Sequence, residues 1–241
     1  MGDRIRREWG GLGLKFQLQP AVILLSASVL LTVYRYYGSS AFFDRHLSGL
    51  FHGASYGTLY GVLYQFASCL LWMLIVPAVL LRFVLRRRLP DVGMRVGDAK
   101  AGLLLLAVLL PLAVLLLVPT SRQPDFRAEY PLFRGAGAAL SLFVIYELLY
   151  AVYYIAWEFF FRGFMLFGLK DFVGAANAIL IQTVPSTLLH IGKPDGEIFA
   201  AVVAGVVFGI IALRTRSIVY VFLLHWLVGV TLDVLIVLTP A

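Results

Sequence analysis

Trp157-Glu158-Phe159-Phe160-Phe161-Arg162-Gly163 puts a carboxylate four residues before a guanidinium inside one of the most apolar parts of the chain. On a helix Glu158 and Arg162 share a face one turn apart, and pairing makes two charges tolerable at a depth where each alone is costly. The stretch belongs to a run from Gly135 to Leu169 that never loses its apolar character. As a helix rising about 1.5 Å per residue, that run would be about 50 Å long, against a hydrocarbon core of about 30 Å. It therefore reads as one long tilted helix, or as two pieces joined near Arg162–Gly163.

The rest of the composition fits a membrane setting. Of 241 residues 61% are hydrophobic and 14% charged, and the mean hydropathy is +0.90. A soluble domain carries about 25% charged residues. The apolar runs are long and continuous, unlike the short alternating segments of a barrel. The expected fold is an all-α, polytopic transmembrane helix bundle of about seven to eight spans. The net charge of +7 comes from short basic clusters between apolar runs, with no basic face interleaved with aromatics. That pattern excludes nucleic acid as a partner and fits loops facing the cytoplasm and anionic lipid. Cys69, the single cysteine, lies in an apolar run, can form no intrachain disulfide and reads as a small core residue.

Residues 1–19, with Arg4, Arg6, Arg7 and Lys15, form a basic cytoplasmic lead-in. Residues 20–135 are scaffold spans and residues 136–241 a helical core of catalytic type. The scaffold spans run over about Pro20–Tyr37, Tyr56–Leu85 and Ala101–Val118, with a mixed-charge loop over 120–135. Pro20–Tyr37 is long enough to span and reads as no cleavable leader. After the long run come Val173–His190, Ile198–Leu213 and Ser217–Leu238. Basic clusters at Arg82–Arg88, Arg95–Lys100 and Arg214–Arg216 alternate with weakly charged loops. The N-terminus is thus expected in the cytoplasm and, if the long run crosses once, the C-terminus outside. His46 and His52, six apart in a loop-like stretch, suggest no site.

The first three spans hold no internal carboxylate or histidine, whereas Glu147, Glu158, Arg162, His190, His225 and Asp233 fall in three later apolar segments. Glu147, Tyr150, Tyr154, Glu158 and Arg162 step by three or four residues and so form one polar stripe over four turns. A glutamate in such a bundle can act as general base toward water, and a nearby histidine can hold that water or stabilise an oxyanion. Arg162 would keep the carboxylate ionised and oriented. Zinc held by Glu158, His190 and His225 is the alternative, since catalytic zinc takes three protein ligands and a water. No His-Glu-x-x-His run, Gly-x-Ser-x-Gly turn or phosphate-binding loop is present.

At these residues the chain resembles the CPBP family, which comprises CAAX-prenyl proteases and bacteriocin-processing (Abi) intramembrane endopeptidases. The family pattern is Glu-Glu-x-x-x-Arg, Phe-x-x-x-His and His-x-x-x-Asn or Asp on three helices. Glu158 and Arg162 match the second Glu and the Arg, and His190 and His225 match the histidines. Arg162-Gly163-Phe164, His190-Ile191-Gly192-Lys193-Pro194 and Leu213-Arg214-Thr215-Arg216-Ser217 add context. Trp157 stands at the first Glu, Ser186 at the Phe and Gly229 at the Asn or Asp. The resemblance implies an intramembrane endopeptidase using glutamate-activated water and no cofactor, acting on a membrane-anchored or lipidated peptide in the lipid bilayer. On it, Glu158 is the base, His190 its water partner, His225 the oxyanion stabiliser and Arg162 the orienting cation. Glu147, Asp233, Glu197 and Tyr154 are auxiliary candidates. Two other readings use the same residues: a catalytically degenerate member that binds a peptide or lipid tail, and a proton-coupled transporter using Glu147 and Glu158. The chain shows no internal repeat of the kind transporters carry.

Overall fold

A computed structural model describes residues 17–51 and 57–239. The lead-in arginines, Lys15 and His52 lie outside the described residues. Nine helices are numbered here: α1 (Leu18–Tyr37), α2 (Ser40–His46), α3 (Leu59–Val84), α4 (Ala99–Thr120), α5 (Pro124–Glu129), α6 (Leu140–Val173), α7 (Ala175–Leu188), α8 (Asp195–Thr215) and α9 (Val219–Leu238). Six of them, α1, α3, α4, α6, α8 and α9, are long and apolar enough to cross a membrane. The chain is an all-α, multi-pass integral membrane protein.

Helix ends follow local chemistry. Ser39 and Asp98 cap α2 and α4 by accepting from the Phe42 and Ala101 amides. Pro124 opens α5, which replaces the loop expected over 120–135, because a proline at the first turn lacks only a donor that would be unpaired there. The long run resolves as one continuous helix. Between Phe159 and Phe167 it widens into π-helical turns, and the 34 residues of α6 run on without a break.

Tertiary bonds sort the connections into two ends. At one, Ile218 N–H donates to the Gly93 carbonyl (2.9 Å), Asp98 N–H to Thr215 (2.8 Å) and Gln19 to Gly168 (2.7 Å). At the other, Tyr130 O–H donates to Glu197 (2.7 Å), Lys193 pairs with Glu129, and Arg127 donates to the Thr239 carbonyl (2.7 Å). α7 runs between these ends with only 14 residues, about 21 Å, shorter than the six helices long and apolar enough to cross a membrane. It packs closely on α8 through the Gly205-Val-Val-Phe-Gly209 spacing, where a Cβ on Gly205 would stand 2.6 Å from Thr183. The Gly205 carbonyl accepts from the Gln182 amide at 2.8 Å.

The main core joins α1, α3 and α6 to α7–α9, with Phe159, Phe160, Phe161 and Phe164 wholly enclosed. α4 is the reverse: only 6% of its apolar window is buried, as its almost pure Leu, Val and Ala interior suggested. Leu103, Leu104, Leu115 and Leu116 expose most of their surface, which suits lipid and not water.

Candidate active site

The polar stripe of α6 faces inward along its whole length: Glu147, Tyr150, Tyr154, Glu158 and Arg162 are all buried. Arg162 Nη1 lies 3.1 Å from both Glu158 oxygens and donates to Oε1. The guanidinium carbon sits 5.2 Å from the centre of the Phe208 ring of α8, and Nη2 reaches the Ala204 carbonyl at 3.5 Å. Two wholly enclosed charges survive because each is the other's partner and the aromatic face adds to the cation's solvation.

His225 arrives from α9. Its Nδ1 is 2.7 Å from Glu158 Oε1, so Nδ1–H donates to the carboxylate and Nε2 is left for the cavity. The imidazole is held between the Tyr154 ring (4.6 Å between centroids) and Phe208 (5.4 Å). His190 lies just beyond α7 in the connection to α8. Its Nδ1 is 2.7 Å from the Ser186 carbonyl, which fixes the proton on Nδ1 and frees Nε2 as an acceptor. Burial holds this imidazole well below its ordinary pKa, at about 4, against the opposing pull of the Ser186 carbonyl; the neighbouring His225, Lys193 and Arg162 lower it further. His190 is therefore neutral across the physiological range.

A cavity of about 350 Å³ brings these groups together. Arg162, His190 and His225 line it, with Tyr154, Glu197 and Asp233. Its apolar walls come from α4 and α8, including Leu116, Leu117, Ala201 and Ala204. Glu158 stands behind the wall, with no exposed surface. Trp157 occupies the wall itself: its indole meets His190 edge-on at 5.4 Å and packs between Tyr153 and Phe161. The side chain where the resemblance puts a carboxylate is an aromatic plate.

The auxiliary candidates separate. Glu147 and Asp233 lie against each other deep in the bundle; Asp233 also accepts from Tyr146 O–H at 3.3 Å, and the Glu147 carbonyl accepts from Trp226. Glu197, in the first turn of α8, lines the cavity beside the histidines. Tyr154 takes the space beside Gly229 and supports His225. Among the described residues no group of three or more His, Cys, Asp or Glu side chains is placed to hold a metal ion. Phe208, Tyr130 and the Lys193–Glu129 pair escaped sequence reasoning. None falls on the α6 stripe, and nothing in the spacing ties residues 129–130 to residues 193–197.

Residues 137–231 match the family model described as type II CAAX prenyl endopeptidase Rce1-like. The match covers Glu158, Arg162, His190 and His225 and stops short of Asp233. No curated protein and no solved structure matches the chain.

Proposed function

We propose that the chain is an intramembrane endopeptidase, a reading supported by the match of residues 137–231 to the Rce1-like model of type II CAAX prenyl endopeptidases. It hydrolyses a peptide bond of a membrane-anchored or lipidated peptide with water activated by a glutamate. The observation that carries this reading is the convergence of His190, His225 and Arg162, from three elements, on one cavity with apolar walls. The apolar wall between α4 and α8 takes the buried part of the substrate; the polar end takes the bond to be cut.

His190, neutral with Nε2 free, accepts a hydrogen bond from the attacking water. His225 donates Nε2–H to the oxyanion, while Glu158 holds Nδ1 of the same ring. The geometry supports Glu158 as the orienting carboxylate of His225, with Arg162 as its ion-pair partner. The proton acceptor is then a carboxylate that reaches the cavity, as Glu197 and Asp233 do. By the loop-charge rule the basic connections around Arg88 and Arg216 lie on the cytoplasmic side with the N-terminus, and the Tyr130–Glu197 contact belongs to the opposite end.

The test is cleavage of lipid-tethered, internally quenched peptides by purified protein in liposomes. His190→Ala and His225→Ala are each expected to lower kcat about 100-fold or more. Unchanged turnover in both would sink the reading. Trp157 and Gly229, at two motif positions, favour one rival: a member that binds such a peptide without cutting it. Tight binding by wild type with no product would select that rival.

A further inference from the structure

We propose that Glu197 is the general base of this site, taking the role that Trp157 leaves vacant; the assignment rests on the endopeptidase reading. Three candidate carboxylates stand apart from a small cavity that both histidines line. Glu158 is enclosed and engaged by Arg162 and His225. Glu147 and Asp233 face each other, and Asp233 is also held by Tyr146.

Glu197 is placed differently. It lines the large cavity and also a small one of about 50 Å³, and His190 and His225 line both. A volume of that size suits one or two waters with polar neighbours. Trp157, Tyr130 and Lys193 are among its other lining residues. Tyr130 O–H donates to Glu197 Oε1 at 2.7 Å, which fixes the rotation of the carboxylate. Oε2 is buried and has no donor among the described residues. A buried carboxylate oxygen without a protein donor, in a water-sized space shared with a histidine whose Nε2 is free, is the arrangement a bound nucleophilic water requires. Lys193, paired with Glu129 and 4.8 Å from the centre of the Tyr130 ring, anchors the connection that carries the constellation.

The chemistry closes on itself. Glu197 Oε2 takes one proton as the water oxygen bonds to the carbonyl carbon and the carbonyl pair moves onto oxygen, where His225 Nε2–H meets it. When C=O re-forms, the C–N bond breaks and the proton on Glu197 passes to the departing amine. The products are a carboxylate, after loss of a proton to solvent, and an amine; Glu197 is again ionised.

The experiment uses the full chain in liposomes with two probes, a quenched farnesylated CAAX peptide and a set of lipid-tethered quenched peptides. Glu197→Gln keeps the shape and the acceptor for Tyr130. It is expected to lower kcat about 10²–10⁴-fold with KM within about threefold of wild type, at an unchanged melting temperature. Glu197→Asp should retain more activity than Glu197→Gln. Tyr130→Phe removes the hydrogen bond and keeps the carboxylate, so a purely structural role for Glu197 would make it as damaging as Glu197→Gln; the expected loss is under about tenfold. Wild-type cleavage with Glu197→Gln within about threefold of it overturns the assignment and leaves the endopeptidase reading standing. The large kcat loss appearing in Asp233→Asn instead gives the base to Asp233. A wild type that cleaves neither probe set overturns both readings.

Discussion

Adding one methyl group at Gly229 would report on how tightly the α9 face of the site is packed. Gly229 follows His225 by one turn, at the position where the family pattern has Asn or Asp. A Cβ built there overlaps the Tyr154 hydroxyl and stands 2.9 Å from Cζ and 3.1 Å from Cε2 of the same ring. Ordinary contact begins near 3.4 Å, so something must yield. Tyr154 has little room: its ring lies 4.5 Å from Tyr150 and 4.6 Å from His225, centroid to centroid, and is 6% exposed. Overpacking of this kind costs about 1–3 kcal/mol. For a chain of this length that is a fall in melting temperature of roughly 2–12 °C, at about 2–4 °C per kcal/mol. The assay is thermal unfolding of Gly229→Ala in detergent, followed by intrinsic fluorescence. Tyr154→Phe removes the overlapping atom, so the double variant should recover part of the loss, with a coupling of at least about 0.5 kcal/mol. A Gly229→Ala protein that melts with wild type, or a double variant that is merely additive, would refute the reasoning. The same crowding predicts that Gly229→Asn, which restores the family residue, fails to raise activity while Tyr154 is in place.

Glu158→Gln leaves the Arg162 guanidinium buried without its counter-ion, a loss of about 3–5 kcal/mol; Glu158→Gln with Arg162→Met should regain much of it in the same melting assay. Trp157→Glu restores the family's first carboxylate but removes a buried indole packed on Tyr153, Phe161 and His190. A large core truncation costs about 3–5 kcal/mol, so a lower folded yield is expected, read by size-exclusion chromatography. Asp98 is held below the usual carboxylate range first by the Ala101 amide and then by Arg214. Its folded pKa is the lower one, so its contribution is full above the unfolded pKa and is lost as pH falls through the folded pKa. Asp98→Asn should flatten that acid limb of a melting-temperature profile; an unchanged limb would show that other groups set it.

Much of this protein can be read from patterns one helix long. The stripe from Glu147 to Arg162 follows from spacing, because a helix fixes which side chains share a face; residues 158, 162, 190 and 225 stand out by their resemblance to a family pattern. The shortness of α7 was harder to see. The apolar run from Val173 to His190 looks long enough to span, yet Gly174 and the Leu189–Pro194 connection trim its helix to 14 residues. Tyr130 was invisible for another reason: its partner Glu197 is 67 residues away, and no periodicity links a loop to the first turn of a distant helix.

The sequence alone determined the membrane bundle, the inward stripe of α6 and the Glu158–Arg162 pair, since hydropathy and helical period act locally. Only the tertiary structure decided which carboxylates face the cavity. Glu158 sits on the expected stripe but behind the cavity wall. Trp157 closes that wall, and Glu197 reaches the histidines from another helix. Access to a cavity depends on how three helices and a loop meet, and that meeting is set by long-range packing that no single stretch of sequence contains.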